Sequence, residues 1–178
     1  MDFTASAAPW LLVIDPQHVF ADPASPWCAH GFEATIDPIR ALADEHAGRV
    51  IVTRWLPERD RSGSWGPYFE TWPFADRPDD DPLFDLVDEA RGLEAGPTLD
   101  ERTFGKFSPQ LLARTGPNPH LVLAGVATDC CVLSTALAAA DGGATVEVVA
   151  RACAGSTPEN HERALAAMTL YGPQITIR

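Results

Sequence analysis

The chain has 178 residues, 46% of them apolar and 21% charged, and carries a net charge of −12. That length suits one domain spanning 1–178, and the acidic balance speaks against nucleic acid and anionic membrane surfaces, which call for a basic patch. No apolar stretch approaches the ~20 residues of a membrane span, and MDFTASAAPW lacks the basic and long apolar regions of a signal peptide, so an intracellular, cytoplasmic location is expected.

In chain order, Trp10–Ile14 is an apolar run ending at Asp15 and reads as a strand buried on both faces. Glu33–His46 carries Ile36, Ile39, Leu42 and Ala43 at helical spacing, with Pro38 setting the expected start of the regular helix. Arg49–Thr53 is a second buried strand. Residues 55–80 are rich in Pro, Gly and aromatics and read as irregular. Pro82–Arg91 is expected to be a helix with Leu83, Leu86, Val87 and Ala90 on one face. A short strand is expected at Thr98–Thr103. Ser108–Arg114 reads as a helix, Ser108 capping it and Pro109 starting it. His120–Ala124 is a third strong strand. Asp129–Ala140 is an alanine-rich helix ended by Gly142-Gly143. Thr145–Ala150 is a strand, Thr157–Tyr171 a helix and Gln174–Ile177 a last strand.

Strands alternating with helices on short links predict an α/β fold. We expect three αβα layers, with a mostly parallel six-stranded sheet and helices on both faces. In such sheets ligands bind beyond the carboxyl ends of the strands. That rule singles out Asp15, Arg54 and the turn 125–131.

Four cysteines, Cys28, Cys130, Cys131 and Cys153, show no CxxC spacing, so they read as thiols rather than as a zinc or redox set. Cys130 and Cys131 fall where a helix follows a strand. Unpaired N–H groups and the helix dipole there are expected to stabilise a thiolate and lower its pKa. The two lie ~100° apart around the helix, so one can face the cleft while the other does not; this geometry leaves open which. Twelve arginines accompany a single lysine, Lys106. Lysine differs from arginine where a compact charge or a departing proton is needed. An Asp, a Lys and a Cys meeting at one strand edge would make an activated nucleophile.

LLVIDPQHVF, with Asp15, Gln17 and Phe20, and AGVATDCCVLSTALAAADGGATVEVVARACAGS carry a resemblance to the isochorismatase-like cysteine hydrolases, relatives of N-carbamoylsarcosine amidohydrolase and nicotinamidase. The nucleophile turn of that superfamily reads Gly-Val-x-Thr-x-x-Cys-Val. The resemblance implies Cys131 as nucleophile, Asp15 as general base and then acid, and Lys106 as the polarising cation. It implies a cis peptide between Val126 and Ala127 and an oxyanion hole from the N–H groups of Ala127 and Cys131. It further implies a cofactor-free hydrolase of a small amide, carbamoyl or related C–N substrate, acting as a homodimer or homotetramer.

Two departures bear on this. Metal-dependent nicotinamidases carry Asp-x-His after the second strand and a later His, whereas residues 53–58 here read Thr-Arg-Trp-Leu-Pro-Glu. No metal is therefore expected. The superfamily's lysine usually precedes the next helix's opening aromatic by about six residues; counted from Phe107, that position holds Glu101. Lys106 enters from another direction, or Arg102 substitutes, or the site is degenerate. The degenerate case would make the chain a binding or assembly subunit.

The aromatics of 55–80 read as a lid or pocket wall, or else as a subunit interface, with Phe20, Trp65 and Tyr68 as substrate contacts and Trp27 joining them. Arg54 is a candidate partner for a substrate carboxylate. His18 reads as a pocket or surface residue and His161 as structural.

Overall fold

The computed structural model describes residues 8–94 and 96–178; the leading segment read for a signal peptide falls largely outside these. Six strands form one sheet: β1 (Trp10–Ile14), β2 (Val50–Trp55), β3 (Leu99–Glu101), β4 (His120–Val126), β5 (Thr145–Ala154) and β6 (Ile175–Ile177). Their order is β3-β2-β1-β4-β5-β6 and every pairing is parallel. Among the described residues, six α-helices accompany them: α1 (His18–Ala21), α2 (Ile36–Glu45), α3 (Trp65–Thr71), α4 (Pro109–Thr115), α5 (Leu133–Asp141) and α6 (Pro158–Thr169).

The period-2 alternation of a strand puts helices on both faces. Leu12 and Ile14 of β1 point to one side with Leu121 and Leu123 of β4. They pack there against Leu111 of α4, Ala136 and Ala139 of α5, and Met168 of α6. Leu11 and Val13 point the other way with Val122 and Ala124, and pack on Ile39 and Leu42 of α2. Each of these β1 side chains is 0% exposed, so each contributes roughly 1.5–3 kcal/mol by burial.

The chain runs from β1 outward through β2 to β3, then returns to place β4 on β1's other side. This reversal creates a crevice between the carboxyl ends of β1 and β4. Gly125 is required there: φ is +109°, and a Cβ would sit 2.2 Å from the carbonyl oxygen of Ile14. A third cluster lies over the strand ends, with Val19, Phe20, Trp55, Phe69, Phe84 and Ala127 among its buried members.

Ser108 and Thr157 cap α4 and α6, accepting from Leu111 N at 3.2 Å and Asn160 N at 3.1 Å. Other expectations change. α2 starts at Ile36, because Pro38 falls in its first turn, where a missing N–H costs little. Segment 55–80 contains α3 and a 3₁₀ turn at Pro73–Ala75. Pro82–Arg91 forms no helix, only 3₁₀ turns at Pro82–Phe84 and Asp88–Ala90. Its backbone is engaged elsewhere: Gln17 Nε2 donates to Phe84 O at 2.7 Å, His18 N to Asp85 O at 3.0 Å, and Val87 N to Pro16 O at 2.9 Å. β5 extends to Ala154, pairing Cys153 with Gly125 beyond an irregularity at 123–125. Among the described residues no helix is long and apolar enough to cross a membrane.

Candidate active site

Asp15 closes β1 with φ at 49°, a left-handed conformation that aspartate tolerates better than most residues. Its N–H donates to Thr53 Oγ1 at 3.1 Å, and that hydroxyl donates back to Asp15 Oδ1 at 2.6 Å. One carboxylate oxygen is therefore fixed by β2. The other, Oδ2, lies 3.0 Å from Lys106 Nζ, with both side chains fully buried. Oδ2 has no partner beyond this ion pair and so keeps a lone pair for an incoming proton.

Lys106 reaches Asp15 from the loop after β3. Its Nζ also donates to Thr103 O at 3.1 Å. Its N–H donates to Thr135 Oγ1 at 3.0 Å, and Thr135 Oγ1 donates to Cys131 O at 2.6 Å. One buried hydroxyl thus ties the lysine loop to the cysteine turn. Arg102 lies elsewhere, with Nη2 2.5 Å from Asp79 Oδ2 and Nη1 donating to Pro57 O.

The Val126–Ala127 peptide is cis. A π-helical turn, Thr128–Val132, follows it and leads into α5. Neighbours pin this turn: Asp129 accepts from Ser156 N at 2.8 Å and Ser156 Oγ at 2.6 Å, and Thr128 Oγ1 lies 2.8 Å from His161 Nδ1. Cys131 is 2% exposed and Cys130 half-buried. The expectation of a lowered Cys131 pKa is corrected. Its hydrogen bond to Cys130, complete burial and the Asp15 carboxylate hold the thiol well above its ordinary value, and Lys106 offsets only part. The same hydrogen bond draws Cys130 below the ordinary value, against its burial. Two N–H groups of this turn are already engaged: Cys130 N and Val132 N both donate to Ala127 O, at 3.0 and 3.1 Å. Asp15 and Lys106 thus sit together, fully buried, beside the Cys131 thiol.

Above the thiols lies a cavity of about 270 Å³, reached by Cys28, Cys130, Cys131 and Ser156. Its walls are aromatic: Phe20, Trp27, Trp55, Tyr68, Trp72 and Phe104. Trp27 is central, its ring 5.3 Å from Trp55, 5.9 Å from Tyr68 and 5.8 Å from Trp72. Burial followed by the two nearby cysteine sulfurs raises the Tyr68 phenol, which stays protonated. Trp65 does not line the cavity; it backs the wall, 5.3 Å from Tyr68 and 5.4 Å from Phe104.

Arg54 is a correction. Along β2, Thr53 and Trp55 face the site, so Arg54 faces away. It forms a bidentate pair with its register partner Asp100, at 2.9 and 2.6 Å. His18 lines a separate groove with Asp22 and Glu33. Sequence reasoning missed Thr53 and Thr135. Thr135 was findable, since it follows Cys131 by four residues and threonine commonly bonds the i−4 carbonyl in helices. Among the described residues no group of three or more His, Cys, Asp or Glu is placed to hold a metal ion.

Comparison with curated proteins gives no match. Among solved structures, the chain is similar to an isochorismatase-like hydrolase from Alkaliphilus metalliredigens, with 22% identity, TM-score 0.76, and 96% and 94% of the two chains covered. It is similar to N-carbamoylsarcosine amidase from Thermoplasma acidophilum, with 22% identity, TM-score 0.72, and 96% and 95% covered. It is also similar to a pyrazinamidase/nicotinamidase from Streptococcus mutans UA159, with 25% identity, TM-score 0.70, and 95% and 100% covered. The isochorismatase domain model matches residues 9–178. With that match spanning the sheet and every residue of the crevice, the chain belongs to the isochorismatase family.

Proposed function

We propose that the protein is a cysteine-dependent hydrolase of a small amide or carbamoyl compound. The observation that carries this reading is the buried Asp15–Lys106 pair at 3.0 Å, tied through Thr135 to the turn bearing Cys131. Amidase and nicotinamidase neighbours of the same fold support it.

In this reading Cys131 Sγ attacks the substrate carbonyl carbon as its proton passes to Asp15. The raised thiol pKa suits a base that acts during attack rather than a standing thiolate. Negative charge on the carbonyl oxygen is met by the N–H groups of Ala127 and Cys131, a contribution of about 3 kcal/mol per donor in comparable sites. Collapse expels ammonia or an amine, which takes the proton from Asp15 and leaves a thioester. Water then attacks, Asp15 accepts its proton, and the thiolate departs and is reprotonated. Lys106, 3.0 Å from Oδ2, holds the Asp15 side chain in place between steps.

The displaced lysine was the argument for a binding or assembly subunit. Lys106 at hydrogen-bonding distance from Asp15 removes that support. The test is ammonia release from a panel of primary amides. Wild-type protein should turn over at least one, and Cys131→Ser and Asp15→Asn should each lose at least ~10³-fold in rate. Equal rates in Asp15→Asn would overturn the reading.

A further inference from the structure

The cavity above Cys131 makes a statement about charge and size. None of its lining residues is charged. Lys106, beneath the thiols beside Asp15, is fully buried and committed to Asp15 and Thr103 O. Each arginine from Arg54 to Arg102 already faces a carboxylate: Arg54 faces Asp100, Arg59 and Arg102 face Asp79, Arg61 faces Asp76, Arg77 faces Asp81 and Arg91 faces Asp88. A carboxylate or phosphate on the substrate would enter this cavity unpaired, which is strongly unfavourable. The chain's net charge of −12 would also repel it at long range.

Size narrows the class further. A dry apolar cavity of about 150 Å³ admits benzene, and this one measures about 270 Å³. It therefore holds one ring with a short substituent, or two fused rings. Trp27 meets Trp55 at 74° and Trp72 at 66°, so both edges and faces of indoles are presented to a flat guest.

Resting on the hydrolase reading for the position of the reacting carbonyl, we infer that the substrate is an uncharged amide or carbamoyl compound. Its acyl or amine part is an apolar mono- or bicyclic aromatic group, seated among Trp27, Trp55, Tyr68 and Trp72.

Binding and turnover are measured separately. Calorimetry on Cys131→Ala, which cannot form a thioester, compares phenylacetamide with its 4-nitro and 4-carboxy derivatives, nitro being the neutral isostere of carboxylate. A 4-tert-butyl and 4-trimethylammonio pair does the same for positive charge. The same ligands are also scored in wild-type protein by protection of Cys131 from iodoacetamide, so that misfolding of the variant does not decide the matter. The inference predicts that 4-nitrophenylacetamide binds at least tenfold tighter than the carboxylate, and that tert-butyl binds at least as well as trimethylammonium. Trp72→Lys should erase or reverse the first preference. Equal or tighter binding of the carboxylate, tighter binding of the trimethylammonium compound, or no binding of any member at millimolar concentration overturns it. Binding of the neutral aromatics without turnover by wild type would uphold the cavity's preference and sink the hydrolase reading alone.

Discussion

At the residue scale, Thr135 has the clearest separable role. It accepts from Lys106 N and donates to Cys131 O, so it sets the lysine loop against the cysteine turn, outside the residues that line the cavity. Thr135→Val keeps the shape and removes both hydrogen bonds. We expect kcat to fall about 10- to 100-fold, as for loss of about 1.4–2.8 kcal/mol, with KM little changed. Thr135→Ser should restore most of the rate; steady-state kinetics of the two variants checks this. A solely structural role would instead lower thermal stability in Thr135→Val and leave kcat intact. Thr53 escaped sequence reasoning because threonine is an ordinary strand residue, and only its contact with Asp15 gives it meaning; Thr135 carried a signal, its i+4 spacing from Cys131, but the link to Lys106 shows only in the fold. Lys106 was legible for the opposite reason: one lysine among twelve arginines is a conspicuous choice. Arg54 was misread because position at a strand end was weighed and the alternation of side chains was not. Thr53 toward Asp15 already requires Arg54 to point away.

At the element scale, the crevice depends on β4 approaching β1 without a side chain at Gly125. A Cβ would lie 2.2 Å from Ile14 O, at a φ of +109° that disfavours any other residue. Gly125→Ala should therefore destabilise the fold by at least about 2 kcal/mol, read from urea unfolding. Any folded fraction should have a displaced Asp15, which follows Ile14 directly. The long apolar strands were readable because burial on both faces leaves continuous apolar runs, as in Leu11–Ile14 and Leu121–Ala124. Segment Pro82–Arg91 was not. Its helical spacing of apolar residues is genuine, yet Gln17 takes the Phe84 carbonyl and Pro16 takes the Val87 N–H. Tertiary hydrogen bonds outweighed a weak local preference. The last four residues of β5 were hidden by Arg151, an exposed residue that interrupts an otherwise buried run.

At the scale of the whole molecule, two buried thiols link stability to pH. Burial pushes Cys153 up to about 12, and Cys131 is raised by the adjacent Cys130 thiol, burial and Asp15. An unfolded cysteine ionises near pH ~8.5. Above that value the native state binds more protons than the unfolded state, so stability falls as pH rises. The contribution is complete below about pH 8.5 and, for Cys153, is lost progressively up to about pH 12. Cys153→Ala should show a shallower decline of unfolding free energy between pH 9 and 11 than wild type, measured by urea titration at each pH. Parallel declines would show that Cys153 does not contribute to this alkaline loss.

The central claim is that Cys131, deprotonated by Asp15, is the acyl acceptor. Its most direct test is brief exposure to 4-nitrophenyl acetate, acid quench and peptide mapping. The activated ester makes acylation fast enough for a thioester to accumulate. The account predicts acetylation of Cys131 in wild type and in Cys130→Ser, none at this position in Cys131→Ser, and a rate at least ~100-fold lower in Asp15→Asn. Acetylation of Cys130 or Cys28 in place of Cys131, or an undiminished rate in Asp15→Asn, would contradict it.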